Sequence, residues 1–318
     1  MTNRLTYIDN TRAVLITMVV LGHILNYANP EYSILPYTLA QEFMNSFHMP
    51  AFFLLSGMLT DSTKWRERSA GVYFLHKVKT LLVPYLFFEC LAIIYKHFVL
   101  HSVSLSEGLL MMLTVRCNVG ADWFLPAMFF ACVLYYLYIR FPNKLAWGIT
   151  GGVLLILLRF TPSGHVWTLL FRGALGFCFM LAGNLLKKYL TVFNWLKICT
   201  AFLITAAVSA LYLKLQLGNS FYDGVLRTPV LYLISGTCGL YFVMCVARLI
   251  KMKWLGKIGE NALTVMGTHQ LVLYTAPNSS SPLWVLGMLC LIAAVEFILI
   301  LVINRLCPML VGKHRKDA

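Results

Sequence analysis

Asn10-Thr-Arg12-Ala-Val-Leu-Ile-Thr-Met-Val-Val-Leu-Gly-His23-Ile-Leu-Asn-Tyr-Ala28 is the stretch that decides how this chain folds. Wound as an α-helix it is about 28 Å long, close to the ~30 Å hydrocarbon layer of a bilayer. Its only basic side chains are Arg12 and His23, and it has no acidic one. A single arginine precedes the run, and no clear small-x-small cleavage site follows it. The segment is therefore expected to stay attached as a first transmembrane helix and not to be removed as a signal peptide.

The same pattern repeats outward along the chain. Segments long and apolar enough to span are 10 to 28, 42 to 60, 78 to 100, 121 to 140, 144 to 160, 166 to 187, 193 to 214, 227 to 249, 258 to 276 and 283 to 307. Residues 104 to 115 are too short to span and read as an interfacial or re-entrant piece with Glu107 near its start. Of the 318 residues, 59% are apolar and only 12% charged, whereas soluble domains carry about a quarter charged residues. Such a chain cannot cover a water-facing surface. The expected fold is all-α: a polytopic membrane protein with about ten transmembrane helices, in a single integral-membrane domain over residues 1–318. Connections are short, no linker rich in Ser or Pro divides the chain, and no inverted repeat of the transporter kind is visible.

A net charge of +14 would suggest nucleic acid if the basic residues formed a continuous arm or groove. They fall between the apolar runs instead, so no nucleic-acid partner is expected and the charges read as topology signals. With the N-terminus in the cytoplasm, that side receives Arg4, Lys64, Arg66, Arg68, Lys77, Lys79, Arg140, Lys144, Lys187, Lys188 and Lys197. It also receives Arg248, Lys251, Lys253, Lys257, Arg305, Lys313, Arg315 and Lys316. Cytoplasmic loops retain positive charge, so both termini are expected inside and the protein in the cytoplasmic (inner) membrane. The nine cysteines are scattered with no C-x-x-C; no metal is expected.

Ionisable side chains within membrane spans are costly and mark candidates for function. Arg12 and His23 lie eleven positions apart, three helical turns plus about 20°, so they share a face about 16 Å apart along the axis. An anionic ligand held by Arg12 can present its far end to His23. Alternatively, Arg12 snorkels to headgroups and His23 bonds a neighbouring helix. His48 opens His-Met-Pro50-Ala-Phe-Phe-Leu-Leu-Ser-Gly57, either as a site residue or as a structural one. In Gly120-Ala-Asp122-Trp123-Phe-Leu-Pro126, the carboxylate and indole are either a sugar-binding pair or a first-turn acid beside an interfacial tryptophan. His269 is expected near mid-membrane. Glu89 and Glu296 read as members of structural polar networks. No P-loop, G-x-S-x-G, H-E-x-x-H or dinucleotide fingerprint occurs.

Several of these blocks, in this order, resemble the acyltransferase family 3 membrane proteins, particularly the fucose 4-O-acetylase-like branch. Ile8-Asp9-Asn10-Thr11-Arg12 leading to Gly22-His23 is similar to that family's Arg-x10-His signature. His48 to Gly57, Lys77-Val-Lys79-Thr-Leu-Leu-Val-Pro84-Tyr85, Trp123-Phe-Leu-Pro126, Phe177 to Gly183, and Leu255 to Thr264 running to His269 follow. The resemblance implies transfer of an acyl group, usually acetyl from acetyl-CoA, to a hydroxyl of a sugar or cell-envelope glycan. Lys77 and Lys79 stand where many relatives have arginines, which argues against a bidentate phosphate contact there. No hydrolase-like domain follows the membrane part, so a stand-alone form is expected.

Acyl transfer to an alcohol needs a base, a donor held in line and a stabiliser for the oxyanion. Imidazole suits the first task near neutral pH, and His23 is the expected base. Arg12, Lys77 and Lys79 are expected to meet the phosphates of acetyl-CoA. His48, Asp122, Trp123 and His269 are expected to bind or orient the acceptor. The competing class is a transporter or exporter of a glycan or small solute, in which buried His, Glu and Arg would relay protons.

Overall fold

The structure, a computed structural model, describes residues 6–160, 164–250 and 252–313. Arg4, Lys251, Arg315 and Lys316 of the basic tally lie outside the described residues, as does the side chain of Lys253. Among the described residues the helices are α1 (Thr6–Ala28), α2 (Leu35–Asn45), α3 (His48–Leu59), α4 (Ser62–Glu67), α5 (Ala70–Lys77), α6 (Val83–Phe98), α7 (Leu105–Leu113) and α8 (Phe124–Arg140). They continue as α9 (Lys144–Arg159), α10 (His165–Leu190), α11 (Trp195–Leu215), α12 (Pro229–Leu249), α13 (Lys253–Glu260), α14 (Ala262–Leu273) and α15 (Pro282–Leu306). A π-helical turn, Val78–Leu82, joins α5 to α6.

Six of these units are long and apolar enough to cross a membrane: α1, the continuous Ala70–Phe98 unit, α10, α11, α12 and α15. Large apolar side chains such as Leu145, Ile149 and Ile156 on α9, Leu203 on α11, and Phe297, Ile298 and Leu301 on α15 stand exposed. A continuous apolar exterior of this kind suits lipid and not water. The protein is a multi-pass, all-helical membrane protein. The other four expected segments form shorter or divided helices. α8 and α9 have 17 and 16 residues, and segments 42 to 60 and 258 to 276 each break in two.

Each irregularity has a local cause. Pro50 has no N–H to give to the carbonyl four residues back, which is that of Ser46. The helix stops there, and the freed Ser46 carbonyl accepts instead from the Ser235 hydroxyl of α12 at 2.7 Å. Pro84 likewise cannot bond Thr80, and the backbone widens into the π turn just before it, a common answer to an interrupted ladder. Between α13 and α14, Asn261 turns its amide back onto the Lys257 carbonyl at 2.7 Å.

α1 lies at the centre, packed by α2, α3, α12, α13, α14 and α15. Asn10 fastens it by donating to two carbonyls at the C-terminal end of α12, Ala247 at 3.2 Å and Ile250 at 2.9 Å. Carbonyls at a helix end lack partners within the helix, so this contact satisfies them. α3 and α10 approach to backbone contact. A Cβ on Gly57 would lie 1.9 Å from the Met180 oxygen, and one on Gly183 would lie 2.0 Å from the Leu54 oxygen. Small residues permit such close helix pairing in membranes, where burial from water supplies little attraction.

Candidate active site

The residues of α1 that face the interior form one stripe: Arg12, Ile16, Val19, His23 and Asn26, spaced alternately by four and three. α3 presents a second stripe of His48, Phe52 and Ser56, spaced by four. Both border three cavities among the helices. At one end, a cavity of about 320 Å³ is bordered by Arg12, Lys64, His76 and Lys77. A neighbouring one of about 340 Å³ is bordered by Arg12, Ile16, Glu260 and Lys313. At the other end lies a cavity of about 560 Å³ lined by Val19, His23, Asn26, Glu42, His48 and Trp123. Phe52, Phe124 and Met266 border both the 340 Å³ and the 560 Å³ cavities.

At the cationic end, Arg12 pairs with Asp9 at 2.9 Å, one turn back on α1. Lys77 joins Arg12 in the first cavity. Lys79 does not line any of the three cavities and is exposed. The lysines brought to Arg12 besides Lys77 are Lys64 and Lys313. They come from segments far apart in sequence, and only their basic character was legible there.

At the histidine end, three rings gather. His48 donates Nδ1–H to the Met44 carbonyl at 2.6 Å. With that nitrogen committed, a neutral His48 has its lone pair on Nε2, and the residue borders the cavity. His269 donates in the same way to Val265 at 2.7 Å. His269 is fully buried, its Nε2 has no hydrogen-bond partner, and its ring lies 5.2 Å from that of His23, tilted by 43°. It stands behind His23 and does not line the cavity.

The residue that holds His23 is Gln270, which the sequence did not single out. Its amide nitrogen is 2.9 Å from His23 Nδ1 and 3.0 Å from Nε2, within hydrogen-bond reach of the imidazole. Gln270 is held in turn by the Tyr274 hydroxyl, which lies 3.1 Å from Gln270 Oε1 and 3.2 Å from the Asn118 carbonyl. The one available clue was a second polar side chain directly after His269 in an apolar helix, where polar groups seek partners on other helices.

Asn118 belongs to the irregular segment 114–123 that runs between α7 and α8; Arg116 is exposed, and from Cys117 onward the segment is buried apart from half-buried Gly120. Val115 and Cys117 take left-handed backbone angles, φ 57° and 58°, which cost of order 1–3 kcal/mol each outside glycine. Glu89 offsets this strain: its carboxylate accepts from the backbone N–H groups of Asn118 (2.8 and 2.9 Å) and Val119 (3.2 Å) and from the Asn118 side chain (2.8 Å). Glu296 accepts from the Thr268 hydroxyl at 2.8 Å, away from the cavities.

Asp122 and Trp123 part company. Asp122 is fully buried, both its oxygens lack hydrogen-bond partners, and it does not border the large cavity. It makes no capping bond to α8. Trp123 does border the cavity, but it is buried with Phe221 stacked at 5.7 Å and the Arg172 guanidinium 4.8 Å from its ring centre. Arg172 also donates Nε–H to the Tyr222 carbonyl at 2.7 Å. Among the described residues no group of three or more His, Cys, Asp or Glu is placed to hold a metal ion.

A cation-lined end and a histidine-lined end joined by one helix can hold a long, anionic-headed substrate with its far end at an imidazole. No solved structure matches the chain. It is 30% identical over 166 residues to nodulation protein NolL of Mesorhizobium japonicum, an alignment covering 50% of this chain and 42% of that protein. The sequence profile of the acyltransferase domain of acyltransferase family 3 matches residues 5–308, and the chain therefore belongs to that family.

Proposed function

We propose that the protein is a membrane-bound O-acyltransferase. It takes an acetyl or other short acyl group from acyl-CoA at the Arg12 end and delivers it to a hydroxyl of a sugar or cell-envelope glycan at the His23 end. The observation that carries this reading is the continuous α1 stripe joining the Arg12 cavities to the His23 cavity. The separation of about 16 Å between the two residues is comparable with an extended pantetheine arm. Arg12, Lys77, Lys64 and Lys313 supply positive charge for the donor's phosphates, and Lys79 adds to the basic surface outside the cavities.

In the proposed reaction the acceptor hydroxyl attacks the thioester carbonyl while His23 takes its proton. The hydroxyl competes with Gln270 for the imidazole lone pair, and Gln270 keeps the ring oriented until it arrives. The tetrahedral adduct then expels the CoA thiolate, which recovers the proton from His23. His48, with Nδ1 tied back, accepts a hydrogen bond from the acceptor through Nε2. Trp123 shapes the cavity wall, and His269 and Asp122 act from behind it. The protein sits in the cytoplasmic membrane with both termini and the Arg12 end inside. α2–α3 and α13–α14 act as broken crossings and α8 and α9 as short ones, giving about ten crossings in one membrane domain.

Two measurements test the reading. Purified protein should be stabilised against heat by acetyl-CoA, as a ligand of the native state requires. Mass spectrometry of envelope glycans and small glycosides from cells with and without the gene should show one lost acetyl group. Unchanged glycans together with no stabilisation would refute the proposal in favour of a transporter.

A further inference from the structure

The 560 Å³ cavity at His23 differs from the two at Arg12 in the sign of its charge. Among the described residues no Lys or Arg borders it, and its carboxylates are Glu42 of α2 and Asp223 of the segment between α11 and α12. Arg172 is turned onto the Tyr222 carbonyl and the Trp123 ring, and it does not border the cavity. Glu42 and Asn45 stand three residues apart on α2, so they share a face. Asn26 stands one turn beyond His23 on α1, and all three border the cavity. Each keeps polar atoms that the fold does not use. The side-chain oxygen of Asn26 accepts from Gln41 at 2.7 Å, which leaves its NH₂ group for a ligand. Among the described residues nothing hydrogen-bonds or pairs with the Glu42 carboxylate or the Asn45 carboxamide. A further wall of the cavity, residues 218–223, is fixed independently of these groups. The Asn219 side-chain oxygen accepts from the N–H groups of Arg227 and Thr228 at 2.8 and 3.0 Å, and buried Phe221 stacks on Phe53 at 4.9 Å. A Cβ on Gly218 would lie 3.8 Å from Glu42 Oε2, so this wall passes beside the carboxylate.

A ligand that fills this cavity displaces water from Glu42, Asn45 and Asn26. Hydrogen bonds from the ligand must replace the lost hydration, because a desolvated polar group left unpaired costs more than a bond gains. An apolar ligand offers none. An anionic one brings a further negative charge to two carboxylates with no cation between them, and like charges juxtaposed at a binding site are strongly disfavoured. A ring bearing several hydroxyls offers donors to the carboxylate, and hydrogen bonds to an ionised acceptor are about twice as strong as neutral ones. We propose that Glu42 binds the acceptor, taking hydrogen bonds from hydroxyls that are not acylated or from the ammonium of an amino sugar. With Asp223 it restricts the acceptor to neutral and amino sugars and turns away acidic and phosphorylated ones. This rests on the acyl-transfer reading of the same cavity. Asn26, about 4.5 Å along α1 from His23, holds a second hydroxyl of the ring whose first lies at the imidazole.

The test compares cells that lack the gene with cells given the wild type, Glu42→Gln, Glu42→Lys or Asp223→Lys, each as the full chain. Mass spectrometry of envelope glycans and small glycosides identifies the sugar that loses its acetyl group and measures the rate at which each variant restores it after induction. Stabilisation of each purified protein against heat by acetyl-CoA reads donor binding. The acetyl group is expected on a neutral or amino sugar. Glu42→Lys should lower the rate at least tenfold, the scale of a lost hydrogen bond to a charged group. Glu42→Gln should lower it less, because its amide keeps one acceptor oxygen. Both should keep the wild-type stabilisation by acetyl-CoA. Asp223 is exposed, so Asp223→Lys reads the same preference if Glu42→Lys accumulates poorly, and it should also restore acetyl more slowly than the wild type. Acetyl on a uronic acid or a phosphorylated sugar would overturn the proposal. So would a wild-type rate in Glu42→Lys or, where that protein does not accumulate, in Asp223→Lys. Unchanged glycans with stabilisation by acetyl-CoA would overturn the sugar site alone. Unchanged glycans without stabilisation would overturn the transfer reading, and this role of Glu42 with it.

Discussion

His23→Gln separates catalysis from architecture because the structure assigns the two roles different magnitudes. The ring's polar and aromatic contacts include the Gln270 amide at 2.9 and 3.0 Å and the tilted His269 ring at 5.2 Å. One such hydrogen bond contributes about 0.5–1.5 kcal/mol net, and glutamine keeps much of the volume and can re-form a bond to Gln270. The expected loss of stability is about 1 kcal/mol, which leaves a protein of ordinary stability almost fully folded. Loss of a general base removes about 10²- to 10⁴-fold in rate, equivalent to about 3–5 kcal/mol of barrier. An amide has no basic nitrogen with which to substitute. Thiol release from acetyl-CoA with a glycoside acceptor reads the rate, thermal unfolding in detergent reads the fold, and acetyl-CoA titration reads donor binding. The expected result is a folded, donor-binding protein with at least a hundredfold lower kcat. A His23→Gln protein with near-normal kcat would refute the base assignment. His48→Gln would then be the next variant to make, because His48 borders the same cavity whereas the Nε2 of His269 is buried.

Arg12→Ala should raise the KM for acetyl-CoA about tenfold or more, the scale of a lost hydrogen bond to a charged group, with a smaller effect on the acceptor. Unchanged donor affinity in folded protein would leave Arg12 as a headgroup anchor. Gly183→Ala puts a Cβ against the Leu54 carbonyl and should destabilise by about 1–3 kcal/mol through overpacking, seen as a lower unfolding temperature; an unchanged temperature would show that α3 and α10 can part freely. Reporter fusions after Arg66, Lys188 and Lys253 should report cytoplasm, and those near Glu31, Asn219 and Ser280 the opposite side. Reversed signals at two or more sites would overturn the orientation and the route of donor entry.

Much of what local rules set was legible in the sequence, although the breaks within 42 to 60 and 258 to 276 were not read from it. Apolar length and low charge determine a helical membrane protein because an unbonded backbone is too costly in lipid. The pitch of a single helix places Arg12 and His23 on one face whatever surrounds them. Pro50 and Pro84 carry the reason for the break and the π turn near them, since each removes one ladder donor. The meeting of helices was not legible. Gln270 reaches His23 across 247 residues of chain, and Glu89 binds the backbone of Asn118 and Val119 from another helix. Asp122 and Trp123 are neighbours in sequence, yet Trp123 borders the cavity and Asp122 lies behind it. Phe52, Phe124 and Met266 read as ordinary apolar residues until packing brings α3, α8 and α14 together at the boundary of two cavities. Side chains on different helices meet according to rotation and crossing angle, which arise from the packing of all the helices at once and are encoded at no single position.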